Sequence, residues 1–281
     1  MAQTQEQTLT EAAHTLVVDR ENPFFFDHPL DHVPGMLVLS GLLDLVRAGH
    51  PAPSVRAGRM DLSLSFDRFC EHDDDIVLRL HPLDVHEEGA TGWDLGAQVE
   101  SDPVCSGRVM LHEKSPTQLV GVLPPRRRAS LPTAQLAHRA RPENVFVGEA
   151  WWDEERLLGT ARRAHEGHPL DGRTAEQLIE AARQFGTLIG HSGYEQPLDH
   201  KYVLRGLRAD IPVDFPEGDV FLEWLPMPSD RSRFDIRVRV FRAAPQGVEE
   251  VGSVSFDTFI VSPRRYDALR SRSRMSKGQQ A

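Results

Sequence analysis

Apolar and polar positions follow two kinds of pattern along the chain, and each kind occurs twice. A mostly apolar run predicts a helix over residues 33–49, and apolar residues at close to 3.6-residue spacing predict a second helix over residues 173–191. After each helix, apolar and polar residues alternate, which predicts strands. The predicted strands cover residues 59–68, 75–85, 92–100, 103–112, 202–211, 220–225, 234–241 and 251–261. The chain therefore reads as one helix followed by four antiparallel strands, repeated once.

A short motif ahead of each predicted helix supports this internal repeat. The sequence HPLDH begins at His28, and the sequence HPLDG begins at His168. Counting twelve residues on from each histidine leads to Ser40 in the first helix and to Glu180 in the second. The two halves therefore align without a gap, and the first helix has a serine where the second has an acid.

A helix wrapped by a curved antiparallel sheet is a hotdog unit, and two in tandem form an α+β double hotdog that behaves as a pseudo-dimer. The segment between the halves is rich in proline and arginine and has little periodicity, so it reads as a linker. We predict a first repeat over residues 1–115, a linker over 116–141, a second repeat over 142–266 and a disordered tail over 267–281.

Composition narrows the classes of function. The 281 residues include 32 Lys and Arg against 42 Asp and Glu, and this net charge of -10 argues against nucleic-acid binding. Two cysteines without C-x-x-C spacing suggest neither a disulfide framework nor a zinc cluster. Residues 1–14 do not resemble a signal peptide, and the longest apolar stretch, residues 33–43, is too short to span a bilayer. We expect a cytoplasmic protein that does not enter a membrane.

Two motifs resemble the β-hydroxyacyl-ACP dehydratases, which are hotdog enzymes. The run NPFFFDHP around His28, followed by Pro-Gly and an apolar helix, is similar to their histidine turn, and EAARQ at Glu180 is similar to their acidic helix. In that family a histidine from one subunit and an acid from its partner flank the substrate. The resemblance implies one composite site from His28 and Glu180, whereas the reciprocal pair of His168 and Ser40 lacks its acid.

A closer resemblance is to the A-factor biosynthesis hotdog family, which includes butenolide and γ-butyrolactone synthases. It rests on DHPLDHVPGM at residues 27–36, on IEAARQ at 179–184 and on IGHSGYEQPLDH at 189–200. In that family the repeat with the arginine-glutamine helix comes first, whereas here it comes second. The resemblance implies secondary metabolism or signal biosynthesis, in which a β-ketoacyl group passes from a carrier protein to dihydroxyacetone phosphate.

The residue types fit chemistry at a thioester carbonyl. His28 can transfer a proton near neutral pH, and Glu180 can orient a hydroxyl or take a complementary acid/base role. Gly35, at the start of the first helix, leaves room for backbone N–H groups that stabilise an oxyanion. Four further residues are candidates for substrate binding or for support of these groups: Asp31, His32, Arg183 and Gln184. By residue type alone, Arg183 is either a phosphate ligand or an ordinary surface cation.

Three hypotheses of function remain open from the sequence. The first is acyl transfer or condensation on an ACP or CoA thioester, with a phosphorylated triose as candidate co-substrate. The second is dehydration of a β-hydroxyacyl thioester, and the third is acyl binding without catalysis. None of them requires a metal or another cofactor. The protein is expected to be a monomeric pseudo-dimer or a homodimer.

Overall fold

The computed structural model describes residues 12–49, 58–113, 118–121, 131, 133–227 and 232–278. The first half contains β1 (Ala12–Thr15), α1 (Gly35–Gly49), β2 (Arg59–Phe66), β3 (Ile76–Pro82), β4 (Ala90–Val99) and β5 (Asp102–His112). Between the halves lie β6 (Gln118–Gly121), α2 (Thr133–Leu136) and the short 3-10 turn Pro142–Asn144. The second half contains β7 (Val147–Asp153), β8 (Arg156–Ala161), α3 (Thr174–Ser192), β9 (Lys201–Pro212), β10 (Val220–Trp224), β11 (Arg233–Ala244), β12 (Gly247–Val261) and α4 (Pro263–Gly278).

Both predicted helices and all eight predicted strands are present. The largest shift is in β12, which begins at Gly247 rather than at residue 251. The helices form the core of each half because their apolar side chains are covered by the sheet: Leu42 of α1 and Leu178 of α3 are fully buried. The chain is therefore an α+β double hotdog. No helix in the described ranges is long and apolar enough to cross a membrane.

One continuous antiparallel sheet joins the two halves. Its order is β1-β3-β4-β5-β2-β9-β12-β11-β10-β8-β7, with β6 paired to β12. The central pair is β2 with β9, the strands that directly follow α1 and α3, and it places Leu62 opposite Ala209. The helices also meet directly, since the Arg47 guanidinium donates to Glu176 over 2.6 Å. This contact places the C-terminal end of α1, in the first repeat, next to the N-terminal end of α3, in the second.

Several elements carry no clear signal in the sequence. The hairpin of β7 and β8 precedes α3, and only the short β1 corresponds to it in the first half. The turn of this hairpin includes Glu154 at a φ of 55°, a left-handed conformation in which glycine or asparagine is more usual. Because neither of those residues is at this position, the sequence does not indicate a turn here. The predicted linker also contains β6 and α2. Residues 133–141 pack against the second repeat rather than only connecting the two halves.

The prediction of a disordered tail from residue 267 is wrong for the described part of that segment. Residues Pro263–Gly278 form α4, which packs against the loop before α1. The Tyr266 hydroxyl donates to Asp31 over 2.7 Å, and Arg270 donates to the Asp31 carboxylate over 2.9 Å and to Glu71 over 2.8 Å. Arg270 is only 3% exposed because its guanidinium lies over the Phe69 ring. The charge composition of this segment does not show that one face of α4 is buried.

Replacing Arg270 by methionine is expected to lower the free energy of unfolding by about 2 kcal/mol, because two partly exposed carboxylates lose their charged donor. Urea unfolding measures the change. Arg272→Met is the matched control, since Arg272 lies on the exposed side of the same helix. Equal unfolding midpoints for the two variants would contradict the docking of α4.

Candidate active site

A cavity of about 770 Å³ opens where the two repeats meet. Its walls come from the loop that precedes α1, from the segment 138–140, from α3 and from the start of β9, with Tyr266 of α4 at its edge. His28, Gly35 and Arg183 line it, whereas Glu180 and Gln184 do not. The first repeat thus supplies His28 and the second supplies the opposite wall.

The neighbouring Asp27 holds one ring nitrogen of His28, and the other ring nitrogen has no hydrogen-bond partner in the part of the chain that the structure describes. Its Nδ1 lies 2.6 Å from Asp27 Oδ1, and its side chain is 38% exposed whereas that of Asp27 is fully buried. Burial alone would raise the pKa of Asp27, but the hydrogen bond from His28 and the charge of Arg139 outweigh it and lower the pKa. An ionised carboxylate only accepts hydrogen bonds, so Nδ1 carries the proton and Nε2 of the neutral ring has a lone pair. His28 is therefore arranged as a base.

His168 is the counterpart of His28 in the second repeat, and it is linked to Asp27 through Asn144. Its Nδ1 accepts the Leu170 backbone N–H over 3.0 Å, so its Nε2 donates to Asn144 Oδ1 over 3.1 Å. Asn144 in turn donates from Nδ2 to Asp27 Oδ2 over 3.2 Å. His168 is 5% exposed, and its burial among aromatic rings lowers its pKa. The reciprocal histidine is therefore a buried structural group linked to the site through Asn144.

Glu180 lies in α3 with no exposed surface and with every partner a cation or an amide. Arg139 Nη2 donates to Oε1 over 2.6 Å, and Arg183 donates from Nε to Oε2 over 2.7 Å. Gln184 Nε2 donates to Oε1 over 2.7 Å. Burial alone would raise the pKa of Glu180, but the two guanidiniums lower it to about 2. Glu180 is therefore an ionised, fully paired carboxylate at neutral pH.

Arg139 connects the two predicted catalytic residues. Besides Glu180 it contacts Asp27 Oδ1 over 3.0 Å and the Phe24 carbonyl over 2.8 Å, and its side chain is 5% exposed. His28 and Glu180 are thus joined through Asp27 and Arg139 rather than facing each other across open space. Sequence reasoning missed Arg139 and Asn144 because both lie in or beside the aperiodic segment read as a linker.

The other predicted site residues take distinct places. Asp31 and His32 line the cavity and bond to each other over 2.8 Å. Gln184 is fully buried and also accepts the Phe146 backbone N–H over 2.8 Å, which ties α3 to the start of β7. Ser40 occupies in α1 the position that Glu180 has in α3. It is buried, and its hydroxyl accepts a hydrogen bond from Arg173 over 2.9 Å. In the described residues, no three His, Cys, Asp or Glu side chains cluster closely enough to hold a metal ion.

The model of the A-factor biosynthesis hotdog domain matches residues 2–108 and 124–261, which is most of the chain. The chain belongs to the A-factor biosynthesis hotdog family. A similar relative is the 2-oxo-3-(phosphooxy)propyl 3-oxoalkanoate synthase of Streptomyces virginiae, 32% identical over 74 residues. That alignment covers 26% of this chain and 24% of the relative, so only about a quarter of the synthase is matched.

Solved hotdog structures share the architecture of this family member at low sequence identity. A dehydratase domain from the CurJ module of the curacin polyketide synthase superposes with a TM-score of 0.57 at 13% identity, over 90% of this chain and 92% of that one. A monomeric dehydratase domain from a trans-AT polyketide synthase gives 0.57 at 12%, over 90% and 99%. The tesB protein of Mycobacterium avium subs paratuberculosis gives 0.55 at 12%, over 83% and 89%. These likenesses establish the fold alone.

Proposed function

We propose that this hotdog protein transfers an acyl group from an ACP or CoA thioester to the hydroxyl of a small phosphorylated acceptor. The observation that carries the proposal is the pairing of Glu180 with Arg139 and Arg183, which is linked through Asp27 to His28. The Nε2 of His28 has no hydrogen-bond partner among the described residues. This combination supplies a base and an ionised carboxylate but no carboxylic acid at neutral pH. Transfer to an alcohol needs a base first, whereas loss of water needs an acid at the leaving hydroxyl.

The proposed reaction begins when His28 Nε2 removes the proton of the acceptor hydroxyl. The oxygen forms a bond to the thioester carbonyl carbon, and the negative charge moves to the carbonyl oxygen. The intermediate then collapses, the carbon–sulfur bond breaks, and the imidazolium of His28 returns its proton to the sulfur. The products are an ester and a free thiol, and His28 ends in its starting state.

The start of α1 supplies the groups proposed to stabilise the oxyanion. Leu37 and Val38 donate their N–H groups to the Pro34 carbonyl. The N–H groups of Gly35 and Met36 have no hydrogen-bond partner among the residues that the structure describes, and both residues line the cavity. Unpaired N–H groups at a helix N-terminus carry partial positive charge that favours an anion. A β-carbon at Gly35 would lie 3.3 Å from the Phe66 ring, which supports the choice of glycine.

A phosphate on the acceptor fits the charges of the cavity wall. Arg183 and Lys201 both line it, although the chain as a whole has a net charge of -10. We propose that Arg183, whose side chain is 28% exposed, contacts the anionic part of the substrate while it holds Glu180. The name of the similar synthase of Streptomyces virginiae includes a phosphooxy group, which also supports this proposal. On this account Glu180 is a positioning residue that aligns the two arginines.

Mass spectrometry of two parallel incubations tests the proposal. A β-ketoacyl thioester with dihydroxyacetone phosphate is expected to yield an ester and a free thiol. A β-hydroxyacyl thioester without acceptor is expected to keep its mass. Loss of water from the second substrate, with no ester from the first, would contradict acyl transfer and favour dehydration. If both substrates remain unchanged, neither acyl transfer nor dehydration is supported and the proposal of catalysis is abandoned.

A further inference from the structure

A second pair of histidines lies at the cavity wall, apart from His28. His138 Nε2 is 2.7 Å from His191 Nε2, and the Tyr202 ring makes T-shaped contacts with both imidazoles. His138 lines the cavity, whereas His191 is 9% exposed at the end of α3. His138 has a φ of 53°, in the left-handed region, where residues other than glycine are uncommon and where asparagine, aspartate and histidine are the most frequent of them. The acyl-transfer steps proposed for His28 use neither residue.

The hydrogen bonds of this pair indicate which histidine donates and which accepts. His191 Nδ1 is 2.8 Å from the Gln196 carbonyl oxygen, which only accepts, so Nδ1 carries the hydrogen of neutral His191. His191 Nε2 is then the acceptor, and His138 Nε2 is the donor. His138 Nδ1 keeps its lone pair, has no hydrogen-bond partner among the described residues, and is not buried away from solvent. The turn after α2 thus carries an unpaired acceptor on a residue that lines the cavity.

The surroundings keep that acceptor uncharged. Burial is the main cause that lowers the pKa of His138, and the charges of His191, Arg183, His28 and Lys201 lower it further, to about 4. A neutral imidazole nitrogen accepts a hydrogen bond from an uncharged donor. In the proposed reaction the acceptor hydroxyl already donates to His28, so His138 needs a different donor. Every ACP or CoA thioester carries amide N–H groups on the arm that leads to its sulfur.

We propose that His138 Nδ1 accepts a hydrogen bond from an amide N–H of the thioester arm, and that His191 and the Gln196 carbonyl fix the tautomer that allows it. The inference rests on the proposed function only in taking a thioester as the ligand. Leu198 and Lys201, both exposed, line the same cavity, so the arm has an open entrance on this side. In this proposal the GHSGYEQ turn, residues 190–196, supports substrate binding by fixing the tautomer of His138.

The affinities of two ligands for the parent protein and for two His138 variants test the inference. The ligands are an acyl N-acetylcysteamine thioester and its isostere in which an ester oxygen replaces the amide N–H, and binding is measured without acyl acceptor. The parent is expected to bind the amide ligand roughly 3- to 10-fold more tightly, the range of one net hydrogen bond. His138→Gln, whose amide reaches the Nε2 position, should lose this preference. His138→Asn, whose oxygen occupies the Nδ1 position and which tolerates the left-handed backbone, should retain it.

The outcomes separate the two proposals. An equal preference in the parent and in His138→Gln, or a parent that binds neither ligand, would overturn the role of His138. A ¹⁵N NMR spectrum that places the His138 proton on Nδ1 would overturn the tautomer assignment as well. Failure of acyl transfer is read independently, from the absence of an ester when dihydroxyacetone phosphate is added. His86→Gln is the control, because that side chain is 90% exposed.

Discussion

Replacing His28 by glutamine is expected to lower kcat/KM for acyl transfer by about 10²- to 10⁴-fold, the usual contribution of a positioned general base. Glutamine retains polarity and similar reach, but its amide cannot take the proton of the acceptor hydroxyl. Thioester binding should change little because the cavity walls are intact. The assay measures ester formation under saturating thioester, and calorimetric binding measures the affinity.

Two controls make the His28 result specific. His86→Gln removes an imidazole that is 90% exposed, and it should leave kcat/KM at the parent value. Asp27→Asn should reduce activity without removing the imidazole, because an amide at that position no longer requires the proton on His28 Nδ1. Full activity of the His28→Gln variant would show that the proton leaves through another group.

Replacing Arg139 by methionine is expected to lower the free energy of unfolding by about 3–5 kcal/mol, the largest stability effect predicted for this chain. The change leaves Asp27 without its arginine and Glu180 with one guanidinium instead of two, and both carboxylates have no exposed surface. Removing one partner of a buried ion pair costs more than the pair contributes, because an uncompensated charge remains inside the protein. Urea unfolding at neutral pH measures the loss.

The neighbouring Arg141 offers a matched control for Arg139. Its side chain is 52% exposed and lies 4.0 Å from Glu143, so Arg141→Met should change the free energy of unfolding by less than about 0.5 kcal/mol. Adding Asp27→Asn to Arg139→Met should recover part of the stability, since it removes the buried carboxylate that has lost its arginine. A double variant that is less stable than Arg139→Met alone would contradict the buried-charge explanation.

The sequence predicted most of the fold because the fold depends on periodic apolar positions. Alternation in β2 and helical spacing in α3 identify a buried face, and the repeated HPLD motif aligns the halves. The register of that motif also placed His28 and Glu180 in different repeats, and the sheet junction of β2 with β9 brings those repeats together. The roles assigned to these two residues remain predictions.

The groups that connect the site could not be predicted in the same way. Arg139 and His138 lie in a segment without periodicity, and their importance comes from contacts with residues more than forty positions away. Arg270 lies in the segment predicted to be a disordered tail, because composition does not show that one face of α4 is buried against Asp31. Buried ion pairs are set by tertiary geometry, so a charged residue in a loop gives no local sign of them.

The central claim is that Glu180 stays ionised between its two arginines and therefore never donates a proton, which leaves His28 as the proton-transferring group. The most direct test is the ¹³C NMR signal of the Glu180 side-chain carboxyl, assigned by its loss in Glu180→Gln and followed from pH 8 to pH 4. With a pKa of about 2, the signal is expected to remain that of a carboxylate over the whole range. A carboxyl signal that titrates between pH 5 and pH 7 would contradict the account, because Glu180 would then be an acid available for dehydration.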